Sequence, residues 1–112
     1  MRVMGVAVEV ETLFEEGRYG GEPIAKIRDE TVEKYRRPKI PIRELWIVLE
    51  NITMLRHLEE LWALRDLCKR QHEEGSLSFE VKFFALDLKS EALFKMEELV
   101  KCVREILKAR SS

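Results

Sequence analysis

Glu44-Leu-Trp-Ile-Val-Leu-Glu50 decides the fold: five consecutive apolar residues closed at each end by a carboxylate. A run this short cannot build a helix face of its own. Bounded by charges and rich in β-branched and aromatic residues, it reads as a strand buried on both sides, the kind found inside a parallel sheet. On its N-terminal side, Pro38 and Pro41 stop a helical stripe of Ile24, Ile27, Thr31 and Tyr35, which predicts a helix over about 23–37. Before that lies a loop over 15–23 with three glycines and a proline. Earlier still, Val6, Val8 and Val10 alternate with Ala7, Glu9 and Glu11, predicting a first strand over roughly 2–12.

On the C-terminal side, Asn51 is placed to cap a helix that runs to about Glu74 and ends at Gly75. Phe79, Val81, Phe83 and Ala85 then share one face of a third strand over 77–88. Asp87 or Ser90 is placed to cap a last helix reaching almost to Ser112. The chain therefore reads as one α/β domain over 1–112, β-α-β-α-β-α. The expected fold is a small three-layer domain with a mainly parallel three-stranded sheet and right-handed crossovers. Both long helices spread apolar residues over more than half their circumference, as with Leu55, Leu58 and Trp62, or Leu99, Val103 and Leu107. A three-stranded sheet cannot cover so much, and its edges need partners too, so a homo-oligomer, most simply a dimer, is expected. Arg65 falls inside one of these apolar arcs, either lying flat with its guanidinium at the rim or facing inward for a function.

Composition narrows the classes of function. Charged residues make up 37% of the chain, yet 20 Lys and Arg against 21 Asp and Glu leave a formal charge of −1. That excludes a globally basic nucleic-acid binder and an acidic tail, but not a local patch. Asn51 and Gln71 are the single residues of their types. Many charges with few side-chain amides is a thermophilic pattern. Six apolar residues over Val3–Val8 are too few for a signal peptide or a membrane span, so a soluble cytoplasmic protein with no membrane association is expected. Cys68 and Cys102 stand apart from each other and from both histidines, and read as two buried thiols, with a disulfide between their helices left open.

Two features could carry chemistry. Glu9 and Glu11 occupy i and i+2 of a strand and so share one face, about 7 Å apart along the chain. Paired carboxylates suit Mg²⁺ or Mn²⁺, and equally suit the solvated end of a strand. Lys34–Arg43 carries five cations and no acid, so Arg36, Arg37, Lys39 and Arg43 could hold a phosphate backbone, or could stabilise a helix C-terminus and feed surface ion pairs. The loop Gly17–Gly21 matches neither common phosphate-binding glycine pattern.

Over residues 5–50, the strand GVAVEVE, the helix IAKIRDETVEKY and the strand ELWIVLE resemble the second half of a PD-(D/E)xK nuclease core. The resemblance implies that Glu9 stands at the motif acid and Glu11 where the lysine is usual. Both would be catalytic and would hold the metal, and Arg28 on the following helix is the candidate for the displaced cation. It further implies nucleic acid as substrate, with activity that needs a partner or an upstream segment. The competing expectation is a non-catalytic homodimeric α/β protein-interaction module.

Overall fold

The computed structural model describes residues 2–3, 5–11, 23–36 and 42–111. Strand β3 (Glu44–Glu50) lies at the centre of the sheet, parallel to β2 (Val6–Val10) on one side and to β4 (Glu80–Asp87) on the other. Ala7, Leu45 and Val81 lie in register, as do Glu9, Ile47 and Phe83. Two antiparallel strands flank this trio: the two-residue β1 (Arg2–Val3) beside β2, and β5 (Ala92–Lys95) beside β4. The sheet is therefore mixed, of four ordinary strands and one very short one, where three parallel strands were expected.

The extra strands come from local chemistry at two turns. Gly5 has φ +82°, a value that L side chains resist, so the predicted first strand folds back there into β1 and β2. Its carbonyl accepts the Arg43 and Glu44 N–H groups at 2.7 and 3.3 Å, fixing where β2 and β3 begin side by side. At the other end, Asp87 caps no helix. Its carboxylate accepts the Lys89 N–H at 3.1 Å and the Ser90 hydroxyl at 2.9 Å, closing a turn that Glu91 completes at φ 56°. Ala92–Lys95 then returns as β5, and helix α5 begins only at Met96 and runs to Ser111.

The crossover from β2 to β3 comprises α1 (Pro23–Lys26), a widened π turn (Ile27–Val32) and α2 (Glu33–Arg36). That from β3 to β4 comprises α3 (Asn51–Arg56) and α4 (Leu58–Glu73), which part at His57, where the backbone leaves helical values. Asn51 is the first helical residue, not the cap, and its side chain accepts the Ile52 N–H at 2.8 Å. Gly75, at φ +85°, ends the crossover as read from the sequence.

Strand order follows chain order, so right-handed crossovers put both helical segments on the same face of the sheet. The core confirms this. Its sheet residues are Ala7, Leu45, Ile47, Leu49, Phe83 and Ala85, all odd-numbered and so all on one face. Ile27, Met54, Leu61 and Met96 meet them from the helices, each fully buried, and each worth roughly 1.5–3 kcal/mol in removed apolar surface. The expected third layer is missing: no described helix packs on the even face. There Trp46 and Phe84 stack with ring centroids 4.7 Å apart, and Glu44 accepts the Trp46 indole N–H and the Lys82 ammonium, each at 2.9 Å.

Helix α5 is longer than the body beneath it. Along its inward stripe Met96 is fully buried, Val100 nearly so, Val103 half-buried and Leu107 58% exposed. The molecule is accordingly elongated, 51 Å by 32 Å by 30 Å. Among the described residues no helix is long and apolar enough to cross a membrane.

Candidate functional site

Glu9 and Glu11 lie at the C-terminal end of β2, and their odd numbering turns both toward the crossover helix. Glu9 Oε1 accepts the Tyr35 hydroxyl and, at 2.8 Å, the Lys34 ammonium. Glu11 Oε1 accepts the hydroxyl of the buried Thr31. Thr31 and Tyr35 sit four residues apart on the helical stripe that faces the strand. The π turn widens the helix just there, so that Thr31 and Val32 are both turned inward. Two hydroxyls and an ammonium thus meet two carboxylates across the strand–helix boundary.

The electrostatics follow from this packing. Burial alone would raise the Glu9 pKa, but the hydrogen bonds from Lys34 and Tyr35 outweigh it and hold the carboxyl below its usual value. The same contacts raise Lys34, through its hydrogen bond to Glu9, and burial with the Glu9 bond raises Tyr35. At neutral pH the cluster is therefore an ionised carboxylate, an ammonium and a neutral phenol.

As arranged, the pair is engaged through Oε1 of each carboxylate. Each carboxylate already accepts from its own chain, and Lys34 supplies the positive charge that an ion would bring. Among the described residues no three His, Cys, Asp or Glu side chains converge on one point.

Arg28 does not join the carboxylates. It is exposed and paired with Asp29 at 2.8 Å, beside a shallow groove between α1 and α4 lined also by Glu60, Leu64 and Leu67. Arg36 is a structural tie. Its Nε bonds Glu33, and its two terminal nitrogens donate to the Ser76 carbonyl at 2.9 Å and the Gln71 side chain at 2.7 Å, fastening α2 to the turn after α4. Arg43 is exposed at the entry to β3. Arg37, Lys39 and the Gly17–Gly21 loop lie outside the described residues.

Arg65 is at the rim: it stacks 4.3 Å over Trp62, and bonds Glu97 at 2.8 Å and Asp66 at 3.0 Å. Of the two thiols only Cys68 is buried, and burial pushes it up to about 11, so it stays protonated; Cys102 is exposed. A larger cavity, about 390 Å³, opens between α4 and the edge of β4, where Lys69, His72, Glu73, Glu80 and Lys95 mix both signs of charge.

The residues that sequence reasoning missed are Thr31, Lys34 and Tyr35. Their signal was present: hydroxyls on an apolar stripe, one turn apart, opposite a strand with two glutamates. No family model matches the chain, and no curated protein or solved structure is similar enough to it to count as a relative.

Proposed function

We propose that the chain is a non-catalytic, homodimeric α/β protein-interaction module. One observation carries this reading: the surface keeps large apolar side chains that the fold does not cover. Val10, Ile52, Leu55, Leu88, Leu93, Phe94, Ile106 and Leu107 are all at least 41% exposed, and exposed apolar surface in excess marks a contact site. The polar cluster supports the same reading, since Glu9 and Glu11 each commit Oε1 to the chain's own crossover helix. The test is light scattering at micromolar concentration: a dimer supports the module, and a clean monomer sinks it. If the chain works in a heat-adapted cell, that dimer persists on heating.

A divergent nuclease-type domain is the second reading, and one contact favours it. In the PD-(D/E)xK resemblance the motif lysine moves to the following helix, and Lys34 of that helix does meet Glu9 at 2.8 Å. Incubation with single- and double-stranded DNA and RNA in Mn²⁺ decides it. Cleavage abolished by Glu9→Ala and by Lys34→Ala would establish the reading; no cleavage and no salt-dependent binding would end it.

A further inference from the structure

Helix α5 runs back alongside α4. Glu97 meets Arg65, and further along α5 the residues Lys101, Arg104 and Lys108 border one groove with Trp62, nearer the start of α4. The uncovered end of α5 therefore lies at the same end of the molecule as α3 and the first turn of α4. Two exposed apolar pairs face solvent there: Ile106 with Leu107, and Ile52 with Leu55.

Their surroundings have opposite charge. From Lys101 onward α5 carries four exposed cations, Lys101, Arg104, Lys108 and Arg110, against one acid, Glu105. The α3–α4 corner carries three exposed acids, Glu50, Glu59 and Glu60, against one cation, Arg56. None of these four cations forms an ion pair among the described residues, and of the three acids only Glu60 has a close ring-nitrogen neighbour, His57 Nδ1 at 4.0 Å. We infer that two copies of this chain close end to end about a two-fold axis, the free half of each α5 lying on the α3–α4 corner of the other. A two-fold makes the contact reciprocal, so each basic end meets an acidic corner and both apolar pairs are covered twice. The pairing closes on itself and leaves no unpaired end to grow a filament. The inference rests on the dimer proposed above and names its seam.

Charge reversal tests it, read by sedimentation equilibrium with circular dichroism as the folding control. All substituted side chains are exposed; Glu59 and Glu60 lie in the first turn of α4 and Lys108 and Arg110 in the last turn of α5, so circular dichroism registers any loss of helix at those ends. Lys108→Glu with Arg110→Glu, and separately Glu59→Lys with Glu60→Lys, are each expected to raise the dimer Kd by about tenfold or more. All four together restore the complementarity with the signs exchanged, and return the Kd to within about threefold of the parent. Ile106→Glu weakens the dimer whatever the charges. A parent that dimerises but ignores both reversals, or reversals that fail to rescue each other, overturns the seam and leaves the dimer standing. A parent that stays monomeric at about 100 μM overturns both.

Discussion

Glu9 latches β2 to α2 through Lys34 and Tyr35, and Glu9→Gln isolates the charge of that latch from its shape. Glutamine keeps an acceptor for the Tyr35 hydroxyl but cannot hold Lys34 as an ion pair. Lys34 is 63% exposed in that contact, so the pair contributes at most about 1 kcal/mol, as solvated pairs do. The Tyr35 bond is half-buried and charge-assisted, and such bonds are worth about 1.5–3 kcal/mol against about 1 for a neutral one. The variant should therefore be less stable by about 1–2 kcal/mol at pH 7. The sign of the pH dependence follows from the lowered Glu9 pKa. A carboxylate depressed in the folded state stabilises it above the ordinary value of 4.5, and that stabilisation disappears as pH falls through the folded-state pKa. Parent and variant must then converge in acid, because glutamine imitates the protonated form. Urea unfolding at pH 7, and at steps below pH 4.5 down to the lowest value at which both stay folded, measures the gap. A gap that is absent at pH 7, or that is the same in acid, would refute the assignment of Glu9 as an ionised latch.

Phe83→Ala, at a core position that is 2% exposed, should cost about 3–5 kcal/mol by chemical denaturation; a cost below 1.5 would mean the helices do not pack on the odd face. Gly75→Ala meets no atom within 4 Å but needs φ +85°, so it should lose about 1–2 kcal/mol from backbone strain alone. Ellman's reagent at pH 8 should titrate one thiol quickly, Cys102, and leave Cys68 protected until the protein unfolds, since burial pushes Cys68 up to about 11. Two fast thiols would contradict the buried position of Cys68.

The parallel trio was legible because each of its strands announces itself within its own few residues. Between its terminal glutamates ELWIVLE has no polar position to expose, and Phe79, Val81, Phe83 and Ala85 keep one apolar face although Phe84 interrupts the other. What escaped reading depends on single turns and on through-space partners. Gly5 splits an unbroken apolar run, Val3–Val8, so only its φ reveals β1. Asp87 and Ser90 are equally good helix caps and turn formers; the choice between them is made by the edge of β4, which offers hydrogen bonds to Ala92–Lys95 that a solvated helix turn would not replace. The third layer was inferred from strand–helix alternation, which fixes handedness but not whether successive crossovers change sides. That depends on strand order, and here the order never reverses.

The same limit explains the carboxylate pair. Along the sequence, four glutamates over Val3–Gly17 meet no cation, and five cations over Lys34–Arg43 meet no acid, which separately suggest a metal site and a phosphate site. A β-α-β unit with a parallel return brings the C-terminal part of its crossover helix back over the strand it left. Where both runs are described, Lys34 falls on Glu9 beside Tyr35, and Thr31 holds Glu11. At Glu9 and Lys34, charges segregated in the chain become a pair in the fold. A charge run on one arm of such a unit is evidence for an external ligand only after the opposite arm has been checked for its complement. At the end of α5, by contrast, four exposed cations stand beside uncovered apolar side chains with no ion pair among the described residues, and there the charge run does call for a partner.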